Sequence, residues 1–228
     1  MSKGLSGGIY EAEVCGAIEE TPRNKLALER CRLINNKGIP YLTFEAAVAE
    51  VKKVQPWTDV KSYTSKKGTD VYFPKEVSLE LAELLNLEPE EASSRLKYYT
   101  AVFAEGNLKS SLDVHHGVDG FFEYYDENGN LIKRITIDAS FNKRKIQDRD
   151  FKADFLVAPQ EETLRKDIFL DREVLFLPDP GAVDEINDDF LDAVSQFSAD
   201  LAKLFREAEE ERREIARGYI PPRVQNFR

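Results

Sequence analysis

The sequence predicts an α/β (α+β) fold: a central mixed β-sheet containing a hairpin, flanked by helices and followed by a long C-terminal helix. Three observations carry this. Two strand-like runs, Gly117–Tyr125 and Leu131–Asp138, flank an Asn128-Gly129 turn, the strongest short-range hairpin signal. The preceding half of the chain has apolar residues at helical spacing. Beyond Gly181, Phe190, Val194, Phe197, Leu201, Leu204 and Ala208 recur at alternating steps of four and three.

The elements follow in order. Tyr10 to Ile18 reads as a short strand or a helix. Lys25 to Ile34 has helical spacing and closes near Asn36 and Gly38. Thr43 is placed as the N-cap of a helix over Phe44–Val51 that ends before Pro56. The polar stretch Gln55–Gly68, with Trp57, reads as a loop. Asp70–Phe73 reads as a short strand ending at Pro74, and Ser78–Leu87 as a Leu-rich helix. Pro89 and the acids after it suit the first turn of a helix running to about Glu105. After the hairpin, Ala153–Ala158 and Asp171–Leu177 read as further strands, the latter ending at Pro178. Residues Pro178–Gly181 look like a boundary between a domain over 1–178 and a helical arm with an extended tail over 179–228.

With 228 residues, 42% of them hydrophobic, the chain can bury an ordinary core, which excludes wholesale disorder. No run of about 18 apolar residues occurs, so no membrane span or membrane partner is expected. The N-terminus lacks the apolar stretch of a signal peptide. The two cysteines, Cys15 and Cys31, form no CxxC pair and read as buried small apolar side chains in a reducing compartment. A cytoplasmic protein is expected, or a virion-associated one if a phage encodes it. The net charge of −10 argues against nonspecific nucleic-acid binding by the whole surface. Within that acidic chain, Lys133, Arg134, Lys143, Arg144, Lys145, Arg149 and Lys152 form a basic island, read either as a solvated loop or as a phosphate-binding face.

A hairpin brings the start of one strand beside the end of the next. That places Asp119 near Asp138, and two close carboxylates repel unless a proton or a cation lies between them. Oxygen donors suit Mg²⁺ or Mn²⁺, which keep waters and use one or two protein carboxylates. His115-His116 precede this turn; one of them, with His116 the candidate, would contact a phosphate, or both are loop residues without a special task. No P-loop, dinucleotide fingerprint, nucleophile elbow or HExxH motif is present.

Gly117-Val118-Asp119, the hairpin, and Ile135-Thr136-Ile137-Asp138-Ala139-Ser140 together resemble the core of the PD-(D/E)XK nuclease superfamily. The resemblance implies a restriction-endonuclease-like core with Asp119 and Asp138 as catalytic metal ligands. The family's next element, one spacer after the second acid, is a lysine; here that position is Ser140. Lys143 or Lys145 would have to reach back in its place. The family's acid on an earlier helix is not selected by any motif, although Glu90, Glu91 and Glu105 are available.

The leading expectation is therefore Mg²⁺- or Mn²⁺-dependent hydrolysis of DNA in restriction, repair or phage genome processing. Arg144, Arg149, Lys152 and His116 would contact nucleic acid. One alternative is a non-enzymatic assembly or interaction protein, such as a phage virion component, docking through the helix 184–217 to a second copy or another protein. Another keeps the basic island for binding without catalysis.

Overall fold

The computed structural model describes residues 7–18, 22, 25–26, 41–55, 72–103, 110–148, 151–159, 174–177 and 188–217. These form an α/β structure with one five-stranded mixed sheet in the order β1-β2-β3-β4-β5. The strands are β1 (Leu96–Thr100), β2 (Gly120–Tyr125), β3 (Leu131–Ala139), β4 (Phe155–Pro159) and β5 (Val174–Leu177). The helices are α1 (Gly7–Cys15), α2 (Phe44–Val54), α3 (Tyr72–Leu84), α4 (Pro89–Arg95), α5 (Ser111–His116), α6 (Lys143–Asp148) and α7 (Asp188–Ala216). Among them, no helix is long and apolar enough to cross a membrane.

Strands β1, β2 and β3 are antiparallel neighbours, whereas β4 runs parallel to β3 and β5 parallel to β4. The antiparallel step is set by a five-residue loop. Asp126 accepts hydrogen bonds from the N–H groups of Asn128 (2.9 Å) and Asn130 (2.8 Å), and Gly129 takes the left-handed conformation at φ +77°. A parallel neighbour needs a crossover, and α6 lies within the connection from β3 to β4.

Alternation along the strands sends successive side chains to opposite faces. Phe122, Tyr124, Ile135, Ile137, Phe155 and Val157 face α1, α3 and α7 in the larger core. Tyr99 and Phe121 pack instead with Val48, Val51 and Val54 of α2 and Leu112 of α5. Farther along that second face, Leu156 and Ala158 meet Ile146 of α6. Close approach within the first core explains Gly120: a Cβ there would collide with the Tyr98 hydroxyl and lie 3.0 Å from the ring carbon that bears it. That hydroxyl donates to the Cys15 carbonyl at 2.9 Å, locking the end of α1 over the start of β2.

Several elements differ from the sequence reading, for local reasons. Of the two readings of Tyr10–Ile18, the helix holds, as Tyr10 to Cys15 belongs to α1, but it stops short of Ile18, which pairs with Phe103. Residues 72–73, read as strand, open α3, because Pro74 falls in the first turn, where its missing N–H costs nothing. Phe73, Val77 and Leu81 then line one buried stripe. That helix stops at Leu84, short of Leu87: Asn86 adopts φ +53° while Leu87 N–H bonds Ala82 O and Asn86 N–H bonds Glu83 O. The helix begun by Pro89 ends at Arg95, and Leu96–Thr100 becomes an edge strand, since Tyr98 and Tyr99 bury on opposite faces by pairing with β2. Thr43 occupies the N-cap position of α2 without a capping side-chain bond.

The long helix begins, within the described residues, at Asp188 and does not stand apart as an arm. Phe190, Val194, Phe197, Leu201 and Phe205 enter the same core as the sheet. Phe197 meets Phe155 edge-on at 5.0 Å and Phe73 at 5.5 Å. Each such fully buried aromatic contributes about 1.5–3 kcal/mol. The four–three seam is therefore read by the chain's own sheet. The proposed helix beyond Leu26, Cys31, Trp57, Glu105, the Pro178–Gly181 boundary, residues 184–187 and the tail from Gly218 lie outside the described residues.

Candidate functional site

The start of β2 and the end of β3 bring Asp119 and Asp138 together. Asp119 N–H donates to Ile137 O, and the Asp119 carboxylate turns across to accept Ala139 N–H, each at 2.8 Å. Alternation puts Asp138 on the Thr136 face of β3, opposite Ile137 and away from the larger core. The two carboxyl groups come within hydrogen-bonding reach of each other. Both are almost wholly buried, at 3% and 2% exposure.

Helix α5 sits over this point and closes it. Its N-terminus is capped by Ser110, whose hydroxyl accepts from Asp113 N–H at 3.1 Å. Its C-terminus ends at Gly117, in the left-handed conformation at φ +61°, where a Cβ would stand 3.8 Å from Asp138 Oδ2. His115 and His116 are thus the last turn of a helix, not a strand or loop.

The site is electrostatically negative. Burial pushes the Asp119 carboxyl well above the usual carboxylate range, and the charges of Asp113, Glu11 and Asp138 push it further, against the Ala139 hydrogen bond. Burial also raises Asp138; the bond and charge of Lys145 oppose it, Asp113 adds to it, and the hydrogen bond with Asp119 offsets part. A pair of this kind binds a proton or a cation more readily than isolated surface acids. Beside the pair, the Cys15 thiol is raised by burial and by the charge of Asp119, which disfavours its thiolate.

Among the described residues Lys145 supplies the cation ion-paired with the pair: its ammonium lies against Asp138 Oδ2. The short helix α6 makes this possible. Ser140 N–H is fixed to Val157 O, Ser140 Oγ accepts from Asn142 N–H at 3.2 Å, and Asn142 Oδ1 accepts from Arg144 N–H at 3.1 Å. Ser140 therefore shapes the turn, and the lysine arrives from the following helix. Lys143 opens α6, but its side chain lies outside the described residues, as does all of Arg149. Arg144 is exposed on α6. Lys152 reaches across from the start of β4 to the His115 carbonyl at 3.1 Å, a favourable place for a cation at the end of a helix. His116 is partly committed elsewhere: its Nε2 lies 2.9 Å from Leu42 O, an acceptor only, so that nitrogen carries the proton.

The sequence reading named neither Glu11 nor Asp113, two acids whose charges act on the pair. Asp113 had a visible signal, the Ser110-x-x-Asp113 capping pattern. Glu11 had none, because α1 meets β3 only through the fold. Equally nonlocal is a second polar cluster farther along β2. Glu123, fully buried, receives Lys52 Nζ at 2.7 Å, Arg134 Nε at 2.8 Å and the Tyr125 hydroxyl. Lys52 also donates to Tyr125 Oη at 2.7 Å, and Arg134 continues to Glu45 at 2.9 Å. This network ties α2 to the sheet.

Among the described residues no group of three or more His, Cys, Asp and Glu side chains is gathered tightly enough to hold a metal ion. The acidic donors gathered at this point are the Asp119–Asp138 pair, with the Lys145 ammonium on Asp138. No family model, no curated protein and no solved structure matches this chain.

Proposed function

We propose that the chain is a divalent-metal-dependent nuclease that hydrolyses DNA phosphodiester bonds at the Asp119–Asp138 pair. The observation that carries this reading is the meeting of these two buried carboxyls at the mouth of a hairpin with the Lys145 ammonium on one of them. Supporting it, the order of hairpin, short helix and parallel strand is the order in which the PD-(D/E)XK core continues, and Lys145 stands in for the lysine absent at Ser140.

Asp119 and Asp138 would hold Mg²⁺ or Mn²⁺, which when bound supplies a Lewis acid for the phosphoryl oxygen and acidifies a water. Ala139 N–H holds Asp119 in its orientation, and burial keeps bulk water from competing for the carboxylates. The Lys145 ammonium provides positive charge beside the reacting phosphate, where charge accumulates in the transition state. In hydrolysis the water oxygen bonds to phosphorus, the bond to the leaving oxygen breaks, and that oxygen gains a proton. Arg144 and Lys152, exposed near the site, would contact flanking phosphates.

The test is cleavage of plasmid and branched DNA with Mg²⁺ or Mn²⁺. Asp119→Asn and Asp138→Asn should each slow cleavage by about a hundredfold or more, the scale of losing a preorganised transition-state contact. Equal rates in wild type and both variants would end the assignment.

A further inference from the structure

Tyr41 is 67% exposed, yet its position is built rather than incidental. The backbone beside it is pinned to α5 on both sides of Leu42: Leu42 N–H donates to Ser111 Oγ at 3.4 Å, and Leu42 O accepts from His116 Nε2 at 2.9 Å. The ring sits at the outer end of an aromatic series. Phe44 meets His116 edge-on at 5.5 Å, and Tyr41 lies 5.7 Å from both His116 and His115. The imidazoles thus brace Tyr41 from beneath while most of it faces solvent. On the same helix end, Lys152 holds the His115 carbonyl. One residue beyond His116, Gly117 borders Asp138. An exposed, braced aromatic ring, a cation and the carboxyl pair are therefore grouped around the last turn of α5.

We propose that Tyr41 is a stacking platform for an unpaired nucleobase, so that the substrate at this site is single-stranded DNA or the unpaired arm of a branched structure. This rests on the nuclease reading for the reaction, but the recognition is separable from it. Bases present a π-face to an aromatic side chain only when they are unstacked, and each such contact contributes about 1–3 kcal/mol. Lys152 and Arg144 would take the flanking phosphates. The acidic remainder of the surface, at a net charge of −10, leaves this small face to provide the attraction.

The test measures binding in EDTA, where no cleavage occurs. A short single strand carrying one 2-aminopurine and a duplex of the same sequence are titrated with the full chain, following anisotropy and 2-aminopurine quenching. The wild type should bind the single strand and quench the probe. Tyr41→Ala should weaken single-strand binding by about 5- to 150-fold, the stacking free energy expressed as an affinity, and abolish quenching. Tyr41→Trp should restore both, which a purely structural role of the tyrosine would not require. The proposal is overturned if the wild type does not bind the single strand, if Tyr41→Ala quenches and binds as wild type does, or if single strand and duplex lose affinity equally. Failure of metal-dependent cleavage with intact stacking would overturn the nuclease reading alone; cleavage without stacking would overturn the platform alone.

Discussion

Asp119→Asn is expected to make the metal-free protein more stable at neutral pH while slowing the proposed cleavage. Asp119 is buried, and its carboxyl is raised by that burial and by the charges of Asp113, Glu11 and Asp138. Ionising it in the folded chain therefore costs more than in the unfolded chain. Because the folded value lies above the unfolded one, the folded state holds an extra proton between the two. Across that window stability falls as pH rises, and above the folded value the full penalty remains. Asparagine keeps an oxygen to accept from Ala139 N–H and carries no charge. It should raise stability at pH 7–8 by about 0.5–2 kcal/mol, the usual scale of a single stabilising substitution. It should also flatten the decline of melting temperature with pH above the ordinary carboxylate range. A variant that melts lower than wild type at every pH would contradict this account of the site's electrostatics.

Glu123→Ala should act in the opposite direction and more strongly. Glu123 is fully buried; burial alone would raise its carboxyl, but hydrogen bonds from Lys52 and Tyr125, and the charges of Lys52 and Arg134, leave it lowered. Its partners depend on it: Tyr125 is raised by burial and by its bond to Glu123, and Tyr99 is pushed up to about 12 by burial and by the Glu123 charge. Truncation leaves the Arg134 guanidinium, mostly buried, without its inner carboxylate and Lys52 without its ion-pair partner on the sheet. Breaking a buried ion pair from one side costs about 3–5 kcal/mol. For a chain of this size that is roughly 6–20 °C in Tm. The sign with pH also differs from Asp119. The stabilisation by Glu123 is present above its unfolded value and lost as pH falls through its lowered folded value. Wild type should therefore lose this contribution in acid, and Glu123→Ala should show a weaker acid dependence. Unchanged melting in Glu123→Ala would show that the network does not hold α2 to the sheet.

The hairpin and its two aspartates were legible in the sequence because their signals are local. Period-two alternation sets Thr136 and Asp138 on one face, and Asp126 to Asn130 encode the loop without reference to the rest of the chain. Lys145 was legible only as one of two alternatives, since either Lys143 or Lys145 could reach back from the turn, and it is α6 that sets Lys145 against Asp138. The strand β1 was hidden by the helical start at Pro89, and only pairing with β2 overrides that local preference. The role of Leu201 and its neighbours on α7 was ambiguous for a similar reason. An apolar seam states that a helix is covered, and the fold states that its own sheet covers it. Of the partners of Glu123, Arg134 lies directly across the hairpin, but Lys52 is 71 residues away, and Glu11 reaches Asp119 from α1, so neither Lys52 nor Glu11 could be read from spacing.

The most direct measurement is Mn²⁺ titration of the full chain, wild type against Asp119→Asn and Asp138→Asn, followed by calorimetry without DNA. If the two carboxyls form one divalent-cation site, wild type should bind a single ion, and each variant should bind it at least about tenfold more weakly. Proton release should accompany binding in wild type, because burial raises both carboxyls whereas a bound ion favours their ionised forms. Binding of equal affinity and stoichiometry in all three proteins would contradict the site.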